Sequence, residues 1–291
     1  MLKKLEKEQF DKYADYAYQL ATDPTRSGYP TYADGIKTRE GFIIRARKAF
    51  ERDHEEILLF EKEGKVNGWI HYYHLAEDHY LDTAAFCVAT GMGEALAEFV
   101  AFACDRFAGS ELFLGFPKEN REAVTALEAI GFELIEDDYN DVLDFDSYVL
   151  QPESSDIVMI TRDNYQLFSA IHSLTDDDMY WNSERILNDL DEWRILVLLK
   201  EGKPAGAVYY FVFEDRSMDE IFGLDFADGV YDQEVYMELL TAALNDEKKR
   251  GVKHLVFFND EQSQADALAC GFRCVGEYVC YKKKLKKILK N

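Results

Sequence analysis

The side chains best suited to chemistry in this chain are carboxylates beside a turn. Glu77, Asp78 and Asp82 lie in and just after the turn Glu77-Asp78-His79, between two strand-like runs. Glu77 and Asp82 could each take a proton from a substrate as a general base, or be solvated turn residues and nothing more. His71, His74 and His79 have the residue type for a metal site but not the spacing. On a straight strand His71 and His74, three apart, point to opposite faces. Cys87, Cys104, Cys270, Cys274 and Cys280 contain no Cys-x-x-Cys pair and read as reduced, mostly buried thiols. No metal site is expected. Gly91-Met92-Gly93 marks a bend from strand to helix, where glycine permits unusual backbone angles with or without a ligand. Asn120 heads a later helix pattern, and Asn is among the best N-caps.

The elements that must position these residues occur twice. Glu63-Gly64-Lys65-Val66-Asn67-Gly68 followed by Tyr72-Tyr73 returns as Glu201-Gly202-Lys203-Pro204-Ala205-Gly206 followed by Tyr209-Tyr210. Farther on, Ile130-Gly131-Phe132 recurs as Cys270-Gly271-Phe272. A register held over so many positions implies two copies of one supersecondary plan. Each copy reads as a short strand, a helix or two, a glycine-turned hairpin, a third strand, a long helix, a strand, a helix and a closing strand pair. In the first copy the helices are expected near Glu8–Ala21, after the N-cap Thr38, from the Gly91–Gly93 bend to about Phe107, and over Lys118–Ile130. The closing pair is expected as Phe132–Glu136 with Asp141–Phe145, and in the second copy as Phe272–Val275 with Tyr278–Tyr281. The polar stretch Gln151-Pro152-Glu153-Ser154-Ser155 separates domains 1–150 and 151–291. The plan is α+β, each copy built around a mixed, mostly antiparallel sheet flanked by helices.

Composition narrows the function. The length of 291 residues suits two domains, and a hydrophobic fraction of 47% suits real cores. A formal net charge of −23 opposes nucleic acid and is compatible with a cationic acceptor such as an amine. The N-terminus runs into an acidic helix pattern rather than a secretory signal, and no apolar run is long enough for a bilayer, so a cytoplasmic protein with no membrane contact is expected. The basic stretch Lys282–Lys290 reads as a solvated or self-docked end, or a contact for an anionic surface.

The loop Phe86-Cys87-Val88-Ala89-Thr90-Gly91-Met92-Gly93 and the later set Asn120, Ala123, Gly131, Phe132 resemble the GCN5-related N-acetyltransferase (GNAT) superfamily, in tandem. The resemblance implies that Cys87 and Val88 offer backbone groups to the pantetheine of acetyl-CoA or another acyl-CoA. It implies that Thr90, Gly91, Met92 and Gly93 hold the pyrophosphate through N–H groups at the helix N-terminus, with Asn120 near the thioester. It further implies direct transfer to a small amine, with Glu77 or Asp82 as base. The chain departs from the family pattern where Val88 replaces a Gln or Arg and Leu127 replaces the Tyr that often protonates the thiolate. The loop is short, Glu94 is negative and no basic residue is adjacent in sequence. In the second copy the matching loop, Asp225-Phe226-Ala227-Asp228-Gly229-Val230-Tyr231-Asp232, would repel a pyrophosphate, and Ala267 stands at the Tyr position. Two functions stay open: an acyl-CoA-dependent N-acyltransferase active in the first copy, as monomer or homodimer, or a GNAT-like binding or regulatory module without chemistry. The aromatic residues Tyr29, Tyr32, Tyr180 and Trp181, in the loops Ser27–Thr38 and Thr175–Trp181, would suit an amine's alkyl stem or be packing residues.

Overall fold

Residues 1–29, 31–174, 180–214 and 216–287 are described by the structure, a computed structural model. The tips of the second aromatic loop (175–179) and of the basic tail (288–291) lie outside the described residues, as do residues 30 and 215. The chain divides into two compact units, 1–138 with 276–291, and 139–275.

In chain order the first part runs β1 (Leu2–Lys4), α1 (Phe10–Ala21), α2 (Arg39–Arg47), β2 (Glu55–Lys62), β3 (Lys65–Leu75), β4 (Tyr80–Val88), α3 (Met92–Arg106), β5 (Glu111–Pro117) and α4 (Arg121–Ala129). β6 (Glu133–Asp144) spans the boundary between the units. The second unit continues with β7 (Ile157–Met159), α5 (Gln166–His172), α6 (Ser183–Asn188), β8 (Trp193–Lys200), β9 (Lys203–Phe211), β10 (Met218–Phe226), α7 (Gln233–Arg250), β11 (His254–Asn259) and α8 (Gln264–Ala269). β12 (Arg273–Lys284) returns to the first unit.

Local chemistry accounts for most of these elements. Thr38 Oγ1 accepts from Gly41 N at 3.1 Å and starts α2. The hairpin turns place Glu63 and Gly64 at φ of 52° and 76°, and Glu201 and Gly202 at 53° and 74°. Two left-handed residues in succession match the right-handed strand twist, which is why a glycine follows the glutamate in both copies.

The strand order is β1-β2-β3-β4-β5-β12 in the first unit and β7-β8-β9-β10-β11-β6 in the second. Neighbouring strands within each unit are antiparallel except β4 with β5 and β10 with β11. In the first unit α3 and α4 cover one apolar core and α1 with α2 another; α7 with α8, and α5 with α6, do the same in the second.

The closing segments differ from the expected strand pairs. Each is one continuous strand, because pairing of its later half with β11 or β5 outweighs the turn preference of Asp137-Asp138-Tyr139-Asn140 and of Gly276. Tyr139–Asp144 pairs with β11, and Tyr278–Lys284 pairs with β5. Residues 139–150 therefore belong to the second unit, and 276–291 to the first. Val279, Tyr281 and Leu285 complete the α3–α4 core, as Leu143 and Phe145 complete the α7–α8 core.

A fragment ending at residue 150 would leave β5 without its antiparallel neighbour and remove those three core side chains. It is expected to show no cooperative thermal transition by circular dichroism. A cooperative melt within a few degrees of the intact chain would contradict the assignment.

Candidate active site

Ala84 makes the site possible. On β3, His71 faces Ala85 and Tyr72 faces Thr83, so Ala84 is an extra residue on β4. Such a bulge bends its strand. β4 and β5 pair only at Tyr80 with Glu111 and Leu81 with Leu112, then part as a fork. The second unit repeats the device: Ile221 faces Tyr210 and Gly223 faces Tyr209, leaving Phe222 as the bulge, and β10 parts from β11 after Ile221.

The fork of the first unit is filled by the chain itself. Gly28 N donates to Phe86 O at 2.6 Å, Tyr29 N to Gly115 O at 2.8 Å, and Val88 N to Arg26 O at 2.9 Å. Ser27 forms an isolated antiparallel bridge with Cys87. The residue between them and β5 has to be glycine, because a Cβ on Gly28 would stand 3.0 Å from Phe86 Cβ and 3.2 Å from both Gly115 O and the Phe116 ring. Arg26–Tyr29 is thus a wedge whose main chain satisfies both strand edges. Asn120, fully buried, serves the same wedge: its Nδ2 donates to Ser27 O at 3.0 Å while its Oδ1 caps α4 at Ala123 N, 3.2 Å. Cys87 and Val88 are buried beneath, and burial pushes the Cys87 thiol up to about 12, so it stays protonated.

At the N-terminus of α3, Gly91 is left-handed, with φ of 77°. Asn67, the extra residue of a second bulge on β3, donates through Nδ2 to Thr90 O and holds the loop shut. Met92 is a core residue, and Gly93 N donates to Glu122 Oε1 at 3.1 Å. A carboxylate therefore already stands where the resemblance places a pyrophosphate. The bend also has a cation that adjacency in sequence did not reveal. Lys62, arriving from β2, places Nζ 2.8 Å from where a Gly91 Cβ would be and pairs with Glu94 at 2.9 Å.

The two candidate bases separate. Glu77 lies exposed in the turn before β4. Asp82 is the first residue beyond the last β4–β5 pair, at the apex of the fork. Its Oδ2 accepts from Tyr73 and Tyr80 hydroxyls, both at 3.0 Å, and its Oδ1 accepts from Thr83 N at 2.6 Å. Burial pushes its pKa up to about 6, which the three donors only partly offset. Tyr80 stacks on Phe113 at 4.6 Å. Glu136 rises to about 7 through burial of its carboxyl and the charges of Asp138 and Asp82, although the residue is exposed overall and solvent tempers the effect. Tyr80 could have been read from its place two residues before Asp82 on one strand face; Tyr73 needed the pairing register, and Glu136 needed the path of β6.

The histidines go elsewhere. His71 Nε2 lies 2.8 Å from Oε2 of the buried Glu55, which also accepts from Arg45 and the exposed Arg52, and His74 Nε2 lies 2.9 Å from Ser110 Oγ. No cluster of three metal-ligating side chains occurs among the described residues, and none of their helices is long and apolar enough to cross a membrane.

No protein-family model and no curated protein matches the chain in sequence. Solved structures do match in fold. A GCN5-related N-acetyltransferase from Sphaerobacter thermophilus superposes with a TM-score of 0.64 at 14% identity, covering 100% of this chain and 97% of that one. A tandem GNAT protein from the clavulanic acid biosynthesis pathway gives 0.53 at 14% identity over 99% of both chains. A glucosamine N-acetyltransferase region in a fungal multi-domain β-N-acetylglucosaminidase gives 0.62 at 12%, covering 97% of this chain and 38% of that one. The chain has the tandem GNAT fold.

Asp82, Glu136 and the buried Glu247, raised to about 9 by burial and by Asp219, all hold protons more tightly folded than unfolded. Their contributions to stability are complete at low pH and lost as pH rises through the folded values. The melting temperature is expected to fall between pH 7 and pH 9 by differential scanning fluorimetry, above the range in which His71 and His74, lowered by burial, act in the opposite sense, and Asp82→Asn should remove the falling contribution around pH 6. A flat or rising profile would contradict these environments.

Proposed function

We propose that the protein is an acyl-CoA-dependent N-acyltransferase, an acetyltransferase, acting on a small amine by direct transfer at the fork of the first unit. The observation that carries this reading is Asp82: a carboxylate at the apex, oriented by two phenols, with a pKa of about 6. At neutral pH it is ionised and basic enough to accept a proton from an ammonium group. The neutral amine then attacks the thioester carbonyl, the new C–N bond forms as the C–S bond breaks, the positively charged nitrogen passes its extra proton through solvent to the departing CoA thiolate, and Asp82 returns its own proton to solvent. Holding amine and thioester together supplies much of the rate.

The donor's place is defined by what holds it now. Pantetheine carries amides, and Phe86 C=O with Val88 N–H are the main-chain groups that the wedge satisfies. In this reading acyl-CoA displaces Arg26–Tyr29 and takes over those bonds. Lys62 exchanges Glu94 for the pyrophosphate, Glu122 releases Gly93 N, and Thr90, Gly91 and Met92 frame that end. Asn120 then loses Ser27 O and faces the thioester end. Glu77 has no role in this mechanism.

A second reading, a binding or regulatory module without turnover, is favoured by the wedge itself and by the Glu122 carboxylate at α3. Isothermal titration with acetyl-CoA separates the two. The enzyme reading expects saturable binding, lost on Gly91→Glu, and turnover of an amine panel. Asp82→Asn should retain binding and lower kcat by about 10²- to 10⁴-fold. Absence of binding at millimolar acetyl-CoA would leave the module reading.

A further inference from the structure

The two copies also differ at the end of their last helix, where one keeps an ammonium group that the other lacks. In the first unit α4 runs out into Ile130-Gly131-Phe132, with Gly131 left-handed at a φ of 75°. Lys283, paired with Leu112 on β5, donates through Nζ to Ile130 C=O and lies 5.3 Å from the centroid of the Phe132 ring. Carbonyls at a helix C-terminus carry partial negative charge, so a cation is favoured there. In the second unit α8 runs out into Cys270-Gly271-Phe272, with Gly271 left-handed at 102°. The strand position equivalent to Lys283 is Leu143, paired with Leu255 on β11. Leu112 and Leu255 are each the second residue of their strand. Space gives the same match: a Cβ on Gly131 would stand 3.8 Å from Lys283 Nζ, and one on Gly271 3.7 Å from Leu143 Cδ1. Leucine has no charge to offer, and no described residue donates to Cys270 C=O.

A cavity of about 610 Å³ lies against that turn. Its walls include Leu143, Met237 and Leu244, the Cys270–Gly271 turn, and Tyr148 from the segment after β6. Every wall residue is described and belongs to the second unit. The volume falls within the roughly 300–1,000 Å³ of small-molecule sites. The roof is clamped in place. Asn245 of α7, 1% exposed, accepts from the Tyr148 hydroxyl at 3.1 Å and from Gln151 N at 3.0 Å, and donates to Gln151 O at 2.8 Å. The Cys270 thiol meets Met237 Sδ at 3.8 Å, and burial pushes it up to about 11, so it stays uncharged. Asp144 is the one charged residue of the wall. An anion would find no cation there, whereas an ammonium finds a helix-end carbonyl and apolar surface for its stem.

We propose that this cavity binds a primary alkylamine, whose ammonium takes on Cys270 C=O the place that Lys283 holds on Ile130 C=O. Its alkyl body lies along Leu143, Met237 and Leu244, beneath Tyr148. The site uses none of the residues of the proposed acyl-transfer site, and it stands whether or not the first unit transfers an acyl group.

The rate at which methyl methanethiosulfonate modifies Cys270 in the intact chain, read by peptide mass spectrometry, reports occupancy of the cavity. Hexylamine is the probe and hexanol its uncharged control. Saturable protection of Cys270 by hexylamine is expected, with hexanol about tenfold weaker because it lacks a charge-assisted bond. Leu143→Lys supplies an internal ammonium, as in the first unit, and should abolish protection by hexylamine. Thr241→Phe, at a half-buried helix position on the cavity wall, should weaken it by filling space. Asp82→Asn should leave protection unchanged, which separates this site from the proposed acceptor site. The idea is overturned if hexanol protects equally well, if protection survives intact in both Leu143→Lys and Thr241→Phe, if Asp82→Asn removes it, or if millimolar hexylamine gives none.

Discussion

Ala84 has no partner on β3, and the bend it puts into β4 separates that strand from β5 after two residue pairs. Two unpaired strand edges result, and buried main-chain donors and acceptors without partners cost a large part of a small domain's stability. Arg26–Tyr29 answers that constraint. Its bonds to Phe86, Val88 and Gly115, the bare Gly28 between packed rings, and Asn120 gripping Ser27 O all follow from the need to close the gap. The same constraint explains why a donor with amide groups would suit the gap, and why it would have to compete for it.

Duplication makes the constraint visible. The Phe222 bulge opens β10 from β11 just as Ala84 opens β4 from β5, and the pairs Lys62–Glu94 and Lys200–Glu234 close the two helix starts alike. The copies diverge in electrostatics and filling. The first has a glycine bend and a carboxylate, Asp82, at the apex; the second has aspartates in the loop and a partly exposed strand edge.

Much of the scaffold was legible because local rules decide it. Glu63-Gly64 and Glu201-Gly202 declare their turns, Thr38 its helix, and the repeat the tandem fold. The paths of β6 and β12 were not legible: Asp137–Asn140 and Gly276 look compatible with reversal, and only long-range pairing selects one straight strand for each. Asp82 could be nominated from its position, but its raised pKa comes from burial at the apex, against the opposing hydrogen bonds of Tyr73 and Tyr80. The wedge was hidden altogether. A loop's composition does not state its route, and the contacts of Lys62 with the Gly91 bend and of Glu122 with Gly93 join residues about thirty apart.

The central claim is that acyl-CoA and Arg26–Tyr29 compete for one set of main-chain bonds. Amide hydrogen exchange with and without saturating acetyl-CoA measures this directly. Exchange at Gly28 and Tyr29 should accelerate as the wedge leaves, while Val88 N–H stays protected by the bound donor. Unchanged or slower exchange at Gly28 and Tyr29 under saturating acetyl-CoA would contradict the account.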